Sequence, residues 1–453
     1  MAGRARVGDA LVVSPQGLAL RLRGIQVHGE AVGQVQAGQR CALNLAGAAL
    51  KRLSIGRGDW IVAPAAHAPT DRLDVRLGVS RTLNHALRHD SIVHLHLAAT
   101  TVTARLATLE GRAIEPGTEA HAQLVLAQPI GALHGDRFIV RDPAVNRTLG
   151  GGRVVDPFGW PRGRARPVRL AELGALAQPS AEAALAALLE TIAGGVDLRR
   201  FLQARNITRL EAEPLLRTLH ATVVDVHKGV VVRGLDADDR NELRAMAPAQ
   251  WQALRQRIVS ALDTAHTAEP DRIGPTEALL GTILGRRAVD GVLRAALGSL
   301  VESHDVVRDG FCLRRPTHVA TMAAKESARL DRVRAVLKAA GLRPPNIGDL
   351  ATALGTEQSM LLAHLVDLGR RGHLVQVAKN RFFLPETVLE LVCIARELAG
   401  KFEDGTFDAA AYRDHSGLSR NLTIEVLEFL DRSGVTRFHA GRRRIVDGVP
   451  MLR

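Results

Sequence analysis

The sequence changes its pattern once, in a stretch rich in proline and arginine between residues 157 and 179. Before this stretch, short β-branched runs such as 92–97 alternate with Gly, Pro and Asp turns, which is typical of β-strands. After it, amphipathic segments recur, and each group of them ends in a short strand-like pair. We therefore expect several domains, of which the first are all-β and the later ones contain both helices and strands.

The helical half carries an internal repeat of roughly 60–80 residues, which is the size of a small domain. Strand-like segments follow apolar helices at Val223, Val306, Leu374 and Thr436. We predict a multidomain fold in which two small all-β barrels precede four tandem winged helices. The predicted boundaries are 1–68 and 69–158 for the barrels, 159–180 for a basic linker, and 181–234, 235–320, 321–384 and 385–453 for the winged helices. Such an array favours a spacer or scaffold as much as a binding protein.

The last repeat has the features of a recognition helix. Ser419 is a good N-cap, and the apolar residues behind it recur at helical spacing, at Leu422, Val426, Leu427 and Leu430. This spacing leaves Arg420 and Asn421 exposed in the first turn. The free N–H groups and the positive dipole end of a helix N-terminus favour phosphate there.

A hairpin with a basic wing is predicted to follow this helix. The segments 436–438 and 444–446 can pair around Gly441, which places Arg442, Arg443 and Arg444 in the wing. Tyr412 and Phe438 are the nearby aromatic residues that can stack on a base, although such residues more often belong to a core. The arrangement suits a nucleic-acid hairpin.

The distribution of charge along the chain favours nucleic-acid binding by local clusters of cations over attraction by the net charge of a whole domain. The formal net charge is +13, and arginine supplies nearly all of the excess. Residues 385–453 are nearly neutral, so RNA binding by the last repeat has to come from a local cluster of cations.

The sequence contains no familiar catalytic motif. It has no G-x-x-x-x-G-K-S/T loop, no G-x-S-x-G elbow, no H-E-x-x-H pair and no C-x-x-C. We expect no metal site, and we interpret the triplet 150–152 of glycines as a bulge or tight crossing of strands.

No apolar run approaches the ~20 residues of a membrane span, and we expect a soluble cytoplasmic protein without membrane contact.

Several motifs resemble one family, the bacterial selenocysteine-specific translation elongation factors. The residues that resemble the family's second domain are Val7-Gly8-Asp9, Arg21-Leu22-Arg23-Gly24-Ile25-Gln26, the run from Ala37 to Gly47, and Arg57-Gly58-Asp59-Trp60. The residues that resemble its third domain are Gly135-Asp136-Arg137-Phe138-Ile139-Val140-Arg141-Asp142 and the run from Thr148 to Pro157. The tail resembles the family's last winged helix, so the resemblance extends over essentially the whole chain.

The resemblance implies a function in translation. Members of the family are GTPases that carry selenocysteyl-tRNA to the ribosome and recognise a hairpin in selenoprotein messenger RNA, so that UGA is read as selenocysteine. The partners implied are this tRNA, this hairpin and the ribosome, and the protein is expected to be a monomer. GTP and magnesium belong to the family's nucleotide-binding domain, and we expect neither cofactor in this chain.

The chain departs from the family pattern at its beginning. The nucleotide-binding domain that precedes the barrels in the family has no counterpart, and the first strand of the second domain is also expected to be missing. The sequence therefore predicts a truncated or split form that does not hydrolyse GTP alone. Three alternatives remain, namely a DNA-binding regulator built from winged helices, an inert scaffold, and a GTPase completed by a separate chain.

The resemblance also implies roles for particular residues. Arg40 matches a family arginine near the selenocysteyl group of the tRNA, where a guanidinium would attract an ionised selenol. The RNA-binding residues expected in the last winged helix are Arg420, Asn421, Arg442, Arg443, Arg444 and Tyr412. The family often has lysine where Asn421 stands, which changes the charge at that position.

Overall fold

The structure is a computed structural model that describes residues 3–47, 55–144, 147–235, 242–285 and 290–446. It divides into two compact units, Met1–Thr222 with Gly234–Ala247, and Val223–Arg233 with Pro248–Arg453. None of the helices in these described ranges combines the length and the apolar composition needed to cross a bilayer.

The chain begins with a small β-domain whose core lies under one long strand. Its strands are β1 (Arg4–Arg6), β2 (Ala10–Ser14), β3 (Leu18–Val27), β4 (Glu30–Val32), β5 (Gln34–Gln36), β6 (Ala42–Ala46) and β7 (Trp60–Val62). In the sheet, β3 lies between β4 and β2 and also pairs with β6, whereas β1 pairs with β5 in a separate two-stranded ribbon. Leu20 and Leu22 alternate with exposed residues along β3 and are buried, as a strand with one solvated face requires, and Ile25 is buried beyond the register shift that follows Leu22. Within the described residues this domain is a sheet with a ribbon, where the sequence predicted a barrel.

A closed barrel of six strands follows. The strands of this region are β8 (Thr70–Val79), β9 (Leu87–Arg88), β10 (Ile92–Leu97), β11 (Thr100–Thr108), β12 (Ala113–Ile114), β13 (Glu119–Ile130), β14 (Arg137–Arg141) and β15 (Thr148–Asp156). The barrel order is β10, β11, β13, β8, β15 and β14, and β14 closes on β10. Its interior is filled by alternating leucine and valine side chains such as Leu73, Val75 and Leu77, each fully buried.

The glycines of β15 lie where strands approach closely. A Cβ atom added to Gly152 would lie 1.8 Å from the Arg76 carbonyl oxygen, and one added to Gly150 would lie 2.2 Å from that of Gly78. No side chain fits at such distances. The interpretation of this triplet as a tight crossing of strands is confirmed.

The predicted linker is wrong for its second half, because that half is a helix fixed to the barrel. Helix α1 (Pro167–Leu176) begins with Pro167 in its first turn, where a missing N–H costs nothing. Its Arg169 is buried, and its Nη2 atom donates to Asp74 Oδ2 and Asp156 Oδ2 at 2.5 Å each. Glu172 accepts from Nη1 at 3.1 Å. An arginine within the predicted basic linker is therefore the centre of a buried ion cluster.

The remaining elements of the first helical group are short. They are α2 (Ala181–Thr191), β16 (Val196–Asp197), α3 (Leu198–Arg205), α4 (Arg209–Thr218), β17 (Thr222–Asp225), β18 (Val230–Val232) and β19 (Leu243–Met246). Strands β17 and β18 form an antiparallel hairpin, and β16 pairs with β19.

Three further groups of helices, each followed by a hairpin, make up most of the second unit. The next group is α5 (Pro248–Ala268), α6 (Glu277–Ile283), α7 (Gly291–Glu302), β20 (Val307–Asp309) and β21 (Cys312–Arg314). After it come α8 (Ala324–Ala340), α9 (Ile347–Leu354), α10 (Gln358–Arg370), β22 (Val375–Ala378) and β23 (Arg381–Phe383). The last group is α11 (Pro385–Gly400), β24 (Thr406–Phe407), α12 (Ala409–Ser416), α13 (Arg420–Arg432), β25 (Thr436–His439) and β26 (Arg442–Ile445).

The last two groups share a hydrophobic core. Val377 of β22 and Phe383 of β23 are buried in the same cluster as side chains of α11, α12 and α13. Arg381 Nε lies 3.0 Å from Glu425 Oε2 of α13, and Arg432 donates to the Val377 carbonyl at 2.9 Å. The hairpin of β22 and β23 is thus fixed against α13 of the next group.

A stacked pair of histidines lies beside the second hairpin of the helical half. The rings of His266 and His318 are parallel, with centroids 3.7 Å apart. His266 Nε2 accepts the backbone N–H of Arg315 at 3.1 Å, which requires that nitrogen to be unprotonated. Burial, together with the charge of His318, lowers the pKa of His266 to about 4. Burial also lowers the pKa of His373, which contacts the Asp271 carbonyl oxygen.

We expect the second unit to lose stability in mild acid. Both histidines have pKa values below the ordinary value of about 6.5, so their contribution is complete above that pH and is lost as the pH falls from there toward 4. The thermal midpoint should therefore fall between pH 7.5 and pH 5. His266→Gln should flatten this dependence, while His304→Gln, at an exposed position, should leave it intact. Equal pH profiles for all three proteins would contradict the assignment.

Candidate nucleic-acid interface

The last helical group presents the helix that the sequence predicted. Helix α13 begins at Arg420 and buries Leu422, Val426, Leu427 and Leu430, as their spacing requires. The predicted helix and its apolar face are confirmed.

The N-terminus of α13 is open. Ser419 occupies the N-cap position, but its hydroxyl makes no capping hydrogen bond. Arg420 and Asn421 are exposed, and neither side chain has a hydrogen-bonding partner among the described residues. The first-turn N–H groups and a free guanidinium are therefore available to the same ligand.

The corresponding helices of the other groups are closed by acids. In α4, Thr208 and Glu211 form a reciprocal capping box. In α7 the carboxylate of Asp290 accepts the Leu293 N–H, and in α10 Glu357 accepts those of Ser359 and Met360. A carboxylate at these positions occupies the N–H groups and repels a phosphate. In this respect α13 differs from the other three.

Two arginines face each other on the outer side of the wing. Arg437 of β25 lies directly opposite Arg444 of β26, so both side chains leave the sheet on the same face. Both are exposed, and neither forms an ion pair with any residue that the structure describes. Like charges directly opposite each other destabilise a sheet, and a bound anion would relieve this repulsion.

The other two arginines of the predicted triplet form hydrogen bonds to other residues of the domain. Arg442 donates to Thr406 Oγ1 at 2.6 Å and to the Thr406 carbonyl at 2.8 Å. Arg443 points to the opposite face, where its side chain is 11% exposed and its Nε donates to Asp431 at 2.9 Å. Successive side chains of a strand point to opposite faces of the sheet. Arginines that are adjacent in sequence and were predicted to form one cluster are therefore separated.

The prediction that Tyr412 contacts RNA is wrong. The ring is fully buried, stacks on Phe407 at 6.0 Å, and its hydroxyl donates to the Leu391 carbonyl at 2.9 Å. Burial raises the pKa of this phenol. Tyr412 fills the core because it lies on the inner side of α12, whereas Phe438 on the wing is 54% exposed.

Arg437 was missed by the sequence reasoning. Its signal is the period of two in β25, which places it on the outer face between the inward-facing Thr436 and Phe438. Once the hairpin turn is set at Gly441, the register that pairs Arg437 with Arg444 follows.

Arg40 lies in the first β-domain, in the connection between β5 and β6. It is exposed and has no ion-pair partner in the described part of the chain. Two residues further on, Ala42 lines a cavity of about 480 Å³ together with Gly24, Gln26 and Asn44. The sheet bulges at this cavity, since the β3 and β6 register shifts between Leu22 and Gly24.

Two family models match the chain. Residues 71–160 match the model described as the beta-barrel domain of the selenocysteine-specific elongation factor. Residues 402–445, which contain α13 and its wing, match the model described as the winged helix of elongation factor SelB.

Curated relatives match nearly the full length of the chain. The selenocysteine-specific elongation factor of Escherichia coli is 29% identical over 438 residues, covering 96% of this chain and 65% of the relative. The factor of Desulfomicrobium baculatum is 27% identical over 450 residues, covering 98% of this chain and 68% of the relative. The chain therefore spans about two thirds of the length of these relatives.

A solved structure has the same fold. The crystal structure of a bacterial selenocysteine-specific elongation factor aligns with 98% of this chain and 65% of its own, with a TM-score of 0.52 and 19% sequence identity. The barrel match, the winged-helix match at the candidate interface and the curated relatives agree with one another. Over nearly its full length, the chain is therefore similar to the selenocysteine-specific elongation factors, and its barrel and its last winged helix match models of that family.

Proposed function

We propose that this chain supplies the RNA-binding part of a cytoplasmic elongation factor for selenocysteine. In this proposal the last winged helix holds a hairpin of selenoprotein messenger RNA, and the β-domains contact selenocysteyl-tRNA, so that UGA is read as selenocysteine on the ribosome. The observation that carries the proposal is the open N-terminus of α13, on the same domain as the outward pair of Arg437 and Arg444.

The chemistry of this surface favours RNA that is recognised by its shape. A-form RNA hides its base edges in a deep groove, so proteins contact its phosphates and its unpaired loop or bulged bases. Free arginines and first-turn N–H groups bind phosphates. The interface offers both kinds of donor through Arg420, Arg437 and Arg444.

The three preceding helical groups are assigned a supporting role as further winged helices. Their candidate recognition helices are closed by Glu211, Asp290 and Glu357, which disfavours phosphate binding at those helix ends. The shared core of the last two groups supports the same view, because it fixes the recognition helix at a defined position.

The tRNA-binding role rests on Arg40, which is exposed and has no carboxylate partner among the described residues. Such a guanidinium attracts an ionised selenol. Ala42, two residues further along the chain, lines a cavity with Asn44. The sequence carries no G-x-x-x-x-G-K-S/T motif, and we assign no GTP or magnesium chemistry to these residues.

Ser419→Asp tests the proposal for the messenger hairpin. An aspartate at the N-cap should accept a first-turn N–H, which keeps or raises the thermal midpoint, and it should repel phosphate. We expect the full chain to bind an RNA hairpin from a UGA-containing selenoprotein message about tenfold more weakly after this change, in fluorescence titrations.

Thr208→Asp is the matched control, since it adds the same charge to the N-cap of α4. It should leave hairpin affinity unchanged. Equal weakening by both variants would mean that only bulk charge matters. Equally tight binding to duplex DNA of the stem sequence would favour the DNA-binding regulator, and no RNA binding by the unsubstituted chain would favour a scaffold.

A further inference from the structure

Phe438 is an exposed aromatic ring on the wing, next to an exposed arginine. It lies on β25 between Arg437 and His439, and 54% of its surface is exposed. A large apolar side chain in this position gains little from burial within the domain. Its exposure therefore needs an explanation outside the core.

One side of the ring is covered by a fixed cation. The Arg443 guanidinium carbon lies 4.6 Å from the centre of the Phe438 ring, and the two residues are directly opposite each other in the hairpin. Arg443 is itself held by Asp431, which also accepts the Thr436 hydroxyl at 2.6 Å. The guanidinium thus supports the ring from behind and limits its rotamers.

Among the described residues, the strand that carries Phe438 has one unpaired edge. In the three-stranded sheet the order is β24, β26 and β25, which makes β25 an edge strand. A nucleotide whose phosphates lie along Arg437 and Arg444 on the outer face can reach around this edge to the ring on the inner face. Bases stack on exposed aromatic rings with little dependence on sequence, at about 1–3 kcal/mol per base.

From this geometry we propose that Phe438 is the stacking platform for one unpaired base of the bound RNA. The inference rests on the proposed function and adds to it a defined contact with a base. The other exposed aromatic residue of this domain, Phe402, is 39% exposed and lies under Arg442, which is tied to Thr406. Phe438 is more exposed and is flanked by a free arginine, so it is the residue assigned.

Phe438→Leu in the full chain tests the contact, because leucine keeps an apolar side chain and removes the π face. We expect hairpin affinity to fall about tenfold, with an unchanged salt dependence since no phosphate contact is lost. Phe438→Trp should restore affinity. With 2-aminopurine placed in turn at each unpaired position, one position should be quenched by the unsubstituted and Trp proteins and not by the Leu protein.

Three outcomes would overturn the proposal. Wild-type affinity in Phe438→Leu would remove the stacking role alone and leave the proposed function intact. Loss of affinity in Phe402→Leu, with none in Phe438→Leu, would move the platform to the other ring. Absence of hairpin binding by the unsubstituted chain would overturn the proposed function and the stacking inference together.

Discussion

Replacing Arg169 by alanine is expected to lower the free energy of unfolding of the β-barrel and its attached helix by about 3–5 kcal/mol. The guanidinium is buried and faces three acids, Asp74, Asp156 and Glu172. Removing the cation leaves these carboxylates buried without their positive partner, which costs far more than the loss of an exposed ion pair. Denaturant unfolding followed by tryptophan fluorescence is suitable, since the Trp160 ring lies 5.2 Å from the guanidinium carbon of Arg169.

The loss in free energy of unfolding caused by Arg169→Ala should depend on pH in a defined direction. Burial already raises the pKa values of Asp74 and Glu172 in the presence of Arg169, and loss of the cation should raise them further. Protonation then relieves the unpaired charge, so the deficit relative to the unsubstituted protein should be larger at pH 8 than at pH 5. Arg166→Ala, an exposed arginine three residues earlier, should have little effect. A small, pH-independent deficit for Arg169→Ala would show that the cluster contributes little to stability.

The Arg169 cluster also shows why sequence reasoning fails for contacts that are distant along the chain. Arg169 and Asp74 are 95 residues apart, and nothing in the proline-rich and arginine-rich stretch marks one arginine as buried. Composition indicated a basic linker. The fold instead uses Pro167 to begin a helix and places the arginine against the barrel.

The spacing of apolar residues correctly predicted helices and their buried faces. The direction in which a single side chain of a short element points could not be predicted in this way. The spacing of Leu422, Val426, Leu427 and Leu430 predicted both α13 and its buried face. The hairpin around Gly441 was also predicted, with strand bounds that differ by a residue or two. Tyr412 was misplaced because a single aromatic in a short helix has no periodic signal to show which side it occupies.

The arginines of the wing also show that sequence does not reveal which way a single side chain points. Arg442, Arg443 and Arg444 are adjacent in sequence, yet one is tied to Thr406, one is turned inward to Asp431 and one is free. The register of the hairpin determines which face each arginine occupies. It also places Arg437 directly opposite Arg444, on the same face. The number of arginines in the segment therefore does not predict which of them are available to a ligand.

The double variant Arg437→Ala with Arg444→Ala is expected to bind the RNA hairpin about 100-fold more weakly. Each removed guanidinium deletes a charge-assisted hydrogen bond to phosphate of about 1.5 kcal/mol, and two such losses correspond to that factor. The slope of log affinity against log salt should become shallower by about two, because two phosphate contacts no longer release counterions. The domain itself should become slightly more stable, by a few tenths of a kcal/mol, since two like charges directly opposite each other are removed.

Opposite changes in stability and binding would identify these arginines as ligand-binding residues, because a residue that supports the fold loses both together. Arg137 and Arg153 provide the matched control, as they are also exposed arginines directly opposite each other, on β14 and β15 of the barrel. Their double alanine variant removes the same charge, so a purely electrostatic attraction by the whole protein would weaken equally in both. If only the wing pair matters, a nearly neutral domain binds RNA through two cations that the hairpin register places side by side.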